Sequence, residues 1–168
     1  MFCRDDKVVY ANYGVCTVTE TDAHLSMGGV ERAYYVLLPT RERGGTVYVP
    51  VDHEELMRPV MNRAEAIDLV ERYDDIETDD FTDSNSRTVE DHFKKLLRRC
   101  DCATAVCVAK TMRARIAEQE SRKHLPSSMY TRLLDQAGHQ AASELSAALD
   151  IAEADVVAYI ENHRKARA

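Results

Sequence analysis

Lys7-Val-Val-Tyr-Ala-Asn-Tyr-Gly-Val-Cys-Thr-Val18, followed by Ala33-Tyr-Tyr-Val-Leu-Leu38 and Thr46-Val-Tyr-Val-Pro50, decides the reading of this chain. Val8 to Tyr10 and Val15 to Thr19 are β-branched or aromatic runs, the composition that suits a pleated, half-buried surface. Ala11-Asn-Tyr-Gly14 separates them, and Asn and Gly tolerate the positive φ a tight reversal needs, so the segment reads as a hairpin. Gly28-Gly29 and Gly44-Gly45 mark two more turns. About four short strands then fit a five-stranded or smaller barrel.

Beyond Pro50-Val51 the strand signal stops, and from Arg63 the apolar spacing becomes helical. A domain boundary is expected near residues 52–62, with a β module over 1–55 and a helical domain over 63–168. Ala64, Ile67, Leu69, Val70 and Tyr73 suggest a short helix, ended by the acidic run from Asp74 to Asp80, which reads as a linker or loop. Ser84 to Ser86 can accept hydrogen bonds from the free amides of a first turn. Val89, Phe93, Leu96, Leu97 and Cys100 then make one apolar stripe with Lys94, Lys95, Arg98 and Arg99 off it. Asp101 can cap a third helix facing inward through Ala105, Val108, Ala109, Met112 and Ile116, with Lys110, Arg113 and Arg115 largely outward. A fourth helix starts near Leu125-Pro-Ser-Ser128 and buries Tyr130, Leu133, Leu134, Ala137, Ala141, Leu145 and Ala148. A fifth begins at Asp150-Ile-Ala-Glu153, a capping-box spacing, and buries Val156, Val157 and Ile160. The expected class is therefore α+β, a small β module followed by a compact all-α domain of about five helices.

The residues that carry this pattern also resemble a known family. Val-Val-Tyr-x-x-x-Gly-Val at Val8 to Val15, Tyr-x-Val-Leu at Tyr34 to Leu37, Val-x-Val-Pro at Val47 to Pro50 and the helix opening Ser86-Arg87 are similar, in order and spacing, to the CarD family of bacterial transcription regulators and to the RNA-polymerase-interacting domain of the transcription-repair coupling factor. The resemblance implies a Tudor-like or SH3-like barrel that adds its sheet edge to a lobe of the RNA polymerase β subunit. It places that edge at Thr46, Val47, Tyr48 and Val49, with a neighbouring loop near Leu25. Relatives often carry arginines at the positions of Leu25 and Tyr48, which this chain lacks; Arg32, Arg41 and Arg43 are the nearby alternatives. In the helical domain the resemblance implies promoter DNA as a second partner, contacted upstream of the bubble through Asn85, Ser86, Arg87, Lys94, Arg98, Lys110, Arg113 and Arg115. A Trp precedes the Ser-Arg pair in the typical relative; here Asn85 holds that place, and the chain has no Trp.

Charge distribution bears on the same partner. The formal net charge is −7, yet residues 84–125 hold ten Lys/Arg against five Asp/Glu, net +5, while residues 52–83 hold three against twelve, net −9. A basic block can attract phosphate by sequence-independent, salt-sensitive electrostatics, or simply solvate the outer faces of two helices. The acidic surroundings predict weak DNA binding in the absence of polymerase.

Other chemistries find less support. No phosphate loop, nucleophile elbow or His-Glu-x-x-His helix is present, so an enzyme is not expected. Cys100-Asp-Cys102, with Cys107, His92 and His124, lacks the paired knuckle spacing of a zinc site, and no cofactor or metal is expected. Five cysteines without a disulfide framework fit a reducing compartment. Charges occupy the first residues where a signal peptide needs an apolar stretch, and no run approaches a membrane span, so a cytoplasmic, membrane-free protein is expected; the family resemblance and the absence of a long heptad pattern imply a monomer. A polymerase- or protein-binding adaptor without DNA contact is the alternative reading, and a metal-dependent protein using the cysteines is the third.

Overall fold

The computed structural model describes residues 1–41 and 45–167, and the side chains of all of these except Asn12 and Met27. Two compact units make up the chain, Met1–Val60 and Met61–Ala168. In the first, five strands, β1 (Lys7–Tyr10), β2 (Gly14–Met27), β3 (Val30–Pro39), β4 (Val47–Pro50) and β5 (Met57–Pro59), form one antiparallel sheet in the order β4-β3-β2-β1-β5. The β1–β2 reversal takes positive φ at Ala11 (41°) and Gly14 (67°), closing the register Tyr10↔Gly14. Gly28 and Gly29, at φ 64° and 81°, make the two-residue turn that pairs Met27 with Val30, the geometry that matches strand twist and that glycine adopts without strain. Register shifts between Val18 and Glu20 and again between Glu20 and Ala23 mark bulges in β2, which bend a strand and increase its twist.

Alternation along these strands buries Val8, Cys16, Val18, Tyr35, Leu37, Val49 and Met57 together. The fifth strand lies beyond residue 55 and was not among the expected ones. Met57-Arg-Pro59 is too short to show period-two alternation, and only its pairing with Val8 to Tyr10 makes it a strand. The edge strands β4 and β5 are linked by the 3-10 segment Val51–Leu56. Arg43 and Gly44, the first residue of the turn expected at Gly44-Gly45, lie outside the described residues.

The second unit contains α1 (Arg63–Glu71), α2 (Ser86–Leu97), α3 (Cys102–Ser121), α4 (Ser128–Leu149) and α5 (Val156–Arg167). Its core joins Leu69, Val70, Val89, Phe93, Leu97, Val108, Met112, Leu133, Leu145 and Val156 from all five helices. With the sheet unit this is the expected α+β class. Helix starts follow capping chemistry. Asn62 and Glu65 form a reciprocal capping box on α1, with amide-to-oxygen distances of 2.8 and 2.9 Å. The Asp101 carboxylate accepts from the Thr104 amide at 2.8 Å to start α3, as its position before an apolar face implies.

Three local expectations fail. Cys100 does not extend α2; it takes φ 54° after the helix has ended, terminating it in the left-handed region. Asp150 does not begin α5. It is the left-handed C-cap of α4 (φ 57°), its amide donating to the Ser146 carbonyl, because a short polar side chain tolerates that conformation and α4 must stop there. Val157 is 53% exposed, whereas its neighbour Val156 is buried; adjacent helical residues point about 100° apart, and only one of them can face the core. No described helix is long and apolar enough to cross a membrane.

Candidate interaction surfaces

Among the described residues β4 ends the sheet on one side and pairs with β3 alone, through Leu37↔Val47, Val36↔Tyr48, Tyr35↔Val49 and Tyr34↔Pro50. Alternate main-chain groups of a terminal strand lack a ladder partner, which makes such an edge a template for another strand. The pleat sorts the predicted edge residues. Val49 is fully buried and Val47 packs against the same core. Thr46 is exposed, and Tyr48 is 44% exposed, with its ring edge-on to Tyr34 at a centroid distance of 6.5 Å. Any side-chain contact along this edge therefore falls to Thr46 and Tyr48, and Val47 and Val49 contribute backbone. Leu25 sits farther along β2 and is the direct partner of Arg32 on β3. β4 covers β3 only over Tyr34 to Leu37, so the Leu25–Arg32 pair lies on the arm beyond the end of β4. Directly opposed residues share one face with Cβ atoms about 5 Å apart, so Arg32 and Leu25 leave the arm on the same face.

On the helical unit the predicted basic residues separate into two groups. Arg87, Lys94 and Arg98 recur at spacings that return to one side of α2, away from the buried Val89, Phe93 and Leu97. That stripe is partly neutralised. Lys94 pairs with Glu90 at 2.7 Å, and Arg132 approaches the same carboxylate at 3.7 Å. The Lys94 hydrogen bond, then the charges of Lys94, Arg132 and Arg87, hold the Glu90 carboxyl below its ordinary range. Ser86 and Arg87 are exposed in the first turn. Asn85 is the N-cap, its side-chain oxygen accepting from the Arg87 amide at 3.0 Å, so the residue at the place of the usual Trp is occupied by a local structural task.

Lys110 and Arg115 do not point outward as their helical positions suggest. Lys110 Nζ donates to the carbonyls of Tyr73 (2.8 Å) and Ile76 (2.5 Å). Arg115 donates to those of Asp79 (3.3 Å) and Phe81 (2.5 Å), its guanidinium 5.0 Å from the Phe93 ring centroid and 5.7 Å from that of Tyr130. Together they strap the acidic segment onto α3. Asp79 secures the same segment: its amide donates to Thr111 Oγ1 at 2.9 Å, and its carboxylate meets the Phe81 amide at 2.8 Å and His92 Nε2 at 2.9 Å. Burial alone would raise the Asp79 pKa, but the hydrogen bonds from His92 and Phe81 and the charges of His92 and Arg115 outweigh it, and the carboxyl is held below its usual range. Phe81 completes the contact by stacking on His92, centroids 4.1 Å apart. The run from Asp74 to Asp80 is thus a tethered segment and not a free linker. Sequence spacing alone missed it; Thr111, a polar residue among the apolar positions Val108 and Met112 of α3, is the signal that could have pointed there. Arg113 remains exposed and donates to the Tyr73 hydroxyl at 3.3 Å.

The cysteines are dispersed. Cys3 and Cys16 are in the sheet unit; Cys16 is buried, and desolvation pushes its thiol up to about 12, so it is protonated and unreactive at neutral pH. Cys100 and Cys102 are buried, and burial also raises Cys107. Among the described residues no three His, Cys, Asp or Glu side chains gather as a metal site.

A search of curated proteins found no match. A family model described as CarD-like/TRCF RID domain matches residues 2–61, which spans the whole sheet and both strands that form its edges. The five-stranded antiparallel sheet is consistent with the Tudor-like build of such a domain, and the N-terminal unit of this protein matches the CarD-like/TRCF RID domain family.

Proposed function

We propose that this protein is a non-catalytic transcription regulator that binds RNA polymerase through the edge of its RID domain, on the β subunit, and uses its helical unit to contact promoter DNA upstream of the bubble. The observation that carries the reading is the match of residues 2–61 to the RID family together with the terminal strand β4, whose outer backbone is available for strand addition. In that mode main-chain hydrogen bonds supply affinity and outward side chains supply selectivity. Tyr48 and Thr46 fill the second role here. Arg32, opposite Leu25, offers a guanidinium on the same arm and is the best-placed substitute for the arginines that relatives carry.

For DNA, the stripe Arg87, Lys94 and Arg98 with the exposed first turn at Ser86 supports phosphate contact at a helix N-terminus. Lys110 and Arg115 are engaged with the acidic segment and are not counted in this contact. Asn85 lacks the indole wedge, so stabilisation of melted DNA is weaker than in a Trp-bearing relative. Tethering to polymerase raises the local concentration at which this modest basic face acts, and the shift toward the open complex is limited by the difference in affinity between the two states.

A pull-down against RNA polymerase and its isolated β lobe tests the tether. Wild type binds and Tyr48→Glu, which sets an outward charge on the edge without touching the core, loses binding; retention by Tyr48→Glu counts against the edge. Arg87→Glu then keeps polymerase binding but shortens open-complex lifetime. An unchanged lifetime favours the adaptor reading.

A further inference from the structure

The helical unit encloses a cavity of about 360 Å³ between α3, α4, α5 and Tyr73. Its floor is apolar and buried: Val106 and Ala109 from α3, Ala141 and Leu145 from α4, and Val156 from α5. These positions repeat at three- and four-residue spacings, so each helix offers one face to the space. The volume falls at the lower end of the range for small-molecule sites, about 300–1,000 Å³, and holds about a dozen water-sized groups at about 30 Å³ each.

Gly138 lines this space from the middle of α4. Glycine inside a helix is destabilising by about 0.5–1 kcal/mol relative to alanine, and close helix packing is the usual reason to keep one. That reason is absent: a Cβ added at Gly138 would meet no atom within 4 Å. The missing side chain leaves room in the cavity and relieves no crowding.

The mouth is charged. Arg113, Arg164 and Glu161 line it, two cations to one acid. Arg164 is engaged by Asp74 at 2.8 Å. Arg113 has no carboxylate partner among the described residues and spends one hydrogen bond on the Tyr73 oxygen. That phenol accepts from Arg113, which leaves its own O–H to donate. Lys110 and Arg164 lie on the Tyr73 ring at 4.9 and 5.6 Å from its centroid; Asp74 neutralises Arg164, while Lys110, held by the Tyr73 and Ile76 carbonyls, adds positive potential beside the same ring. An open guanidinium beside an available O–H, above an apolar floor, is complementary to a carboxylate on a short apolar body.

We propose that this cavity binds a small amphipathic carboxylate, its medium-chain alkyl or aryl body on the faces of α3, α4 and α5 and its carboxylate at Arg113 and the Tyr73 hydroxyl. The site shares no lining residue with the α2 stripe, so it gives the helical unit a ligand of its own.

Calorimetric titration of the full chain with octanoate tests this, with octanol and octyltrimethylammonium as uncharged and cationic counterparts. Wild type binds octanoate saturably. Arg113→Gln weakens it about tenfold, to the level at which octanol binds wild type. Gly138→Leu, which fills the space from α4, abolishes binding while the circular dichroism spectrum is retained; Ala142→Leu fills the same space one turn on and gives the same loss. The proposal is overturned if wild type does not bind octanoate, if octyltrimethylammonium binds as well, or if both folded filling variants bind like wild type.

Discussion

Arg115→Ala separates a structural from a DNA-contacting role for the residue that the family pattern directs at DNA. In the structure its guanidinium donates to the Asp79 and Phe81 carbonyls and lies on the Phe93 and Tyr130 rings. Hydrogen bonds from a charged donor contribute about 1.5–3 kcal/mol, and a half-buried cation–π contact adds about 1 kcal/mol. Removing all of this costs the helical unit about 3 kcal/mol, against about 0.5 kcal/mol or less for an exposed surface change such as Arg87→Ala. With a urea slope of about 2 kcal/mol per molar, the unfolding midpoint followed by far-UV circular dichroism falls by about 1.5 M for Arg115→Ala and barely moves for Arg87→Ala. Arg115→Lys restores charge but neither the planar stack nor the two-carbonyl fork, and recovers only part of the loss. If Arg115→Ala unfolds within about 0.5 kcal/mol of wild type, the strap does not hold the segment and the outward reading of this side chain returns.

The Asp79 contacts set a pH dependence. A carboxyl whose folded pKa is depressed adds stability that is present above the ordinary Asp value of about 3.9 and is lost as pH falls through the lower folded value. Urea midpoints collected on the acid side of neutrality therefore decline more steeply for wild type than for Asp79→Asn, and parallel curves refute the assignment. Asn85→Ala removes the N-cap oxygen from the Arg87 amide and destabilises α2 by about 1 kcal/mol; an unchanged thermal midpoint refutes the cap. A thiol reagent at neutral pH labels the exposed Cys3 in the native protein and reaches the buried, protonated Cys16 only after denaturant is added, which intact mass with peptide mapping reads directly. Native labelling of Cys16 would mean the sheet opens locally.

The sequence by itself determined the α+β class, the hairpin turns at Ala11 to Gly14 and Gly28-Gly29, the start of α3 at Asp101 and the buried line Val89, Phe93, Leu97. All are local signals: period, turn residues and caps act within a few positions of the chain. β5 needed its partner β1, because three residues carry no alternation and only the ladder makes Met57–Pro59 a strand. Tertiary structure alone decided the destinations of the long cations. A helical spacing states which side of the cylinder a Cβ leaves from, but Lys110 and Arg115 have flexible stems that let charge travel to carbonyls presented by a segment more than thirty residues away in sequence. A different reason hid the roles of Asp150 and Val157: whether Asp150 ends one helix or starts the next, and which of Val156 and Val157 faces the core, depends on how α4 ends and α5 packs. The cavity over Gly138 was equally invisible: absence of an atom has meaning only after the surrounding helices have taken their places.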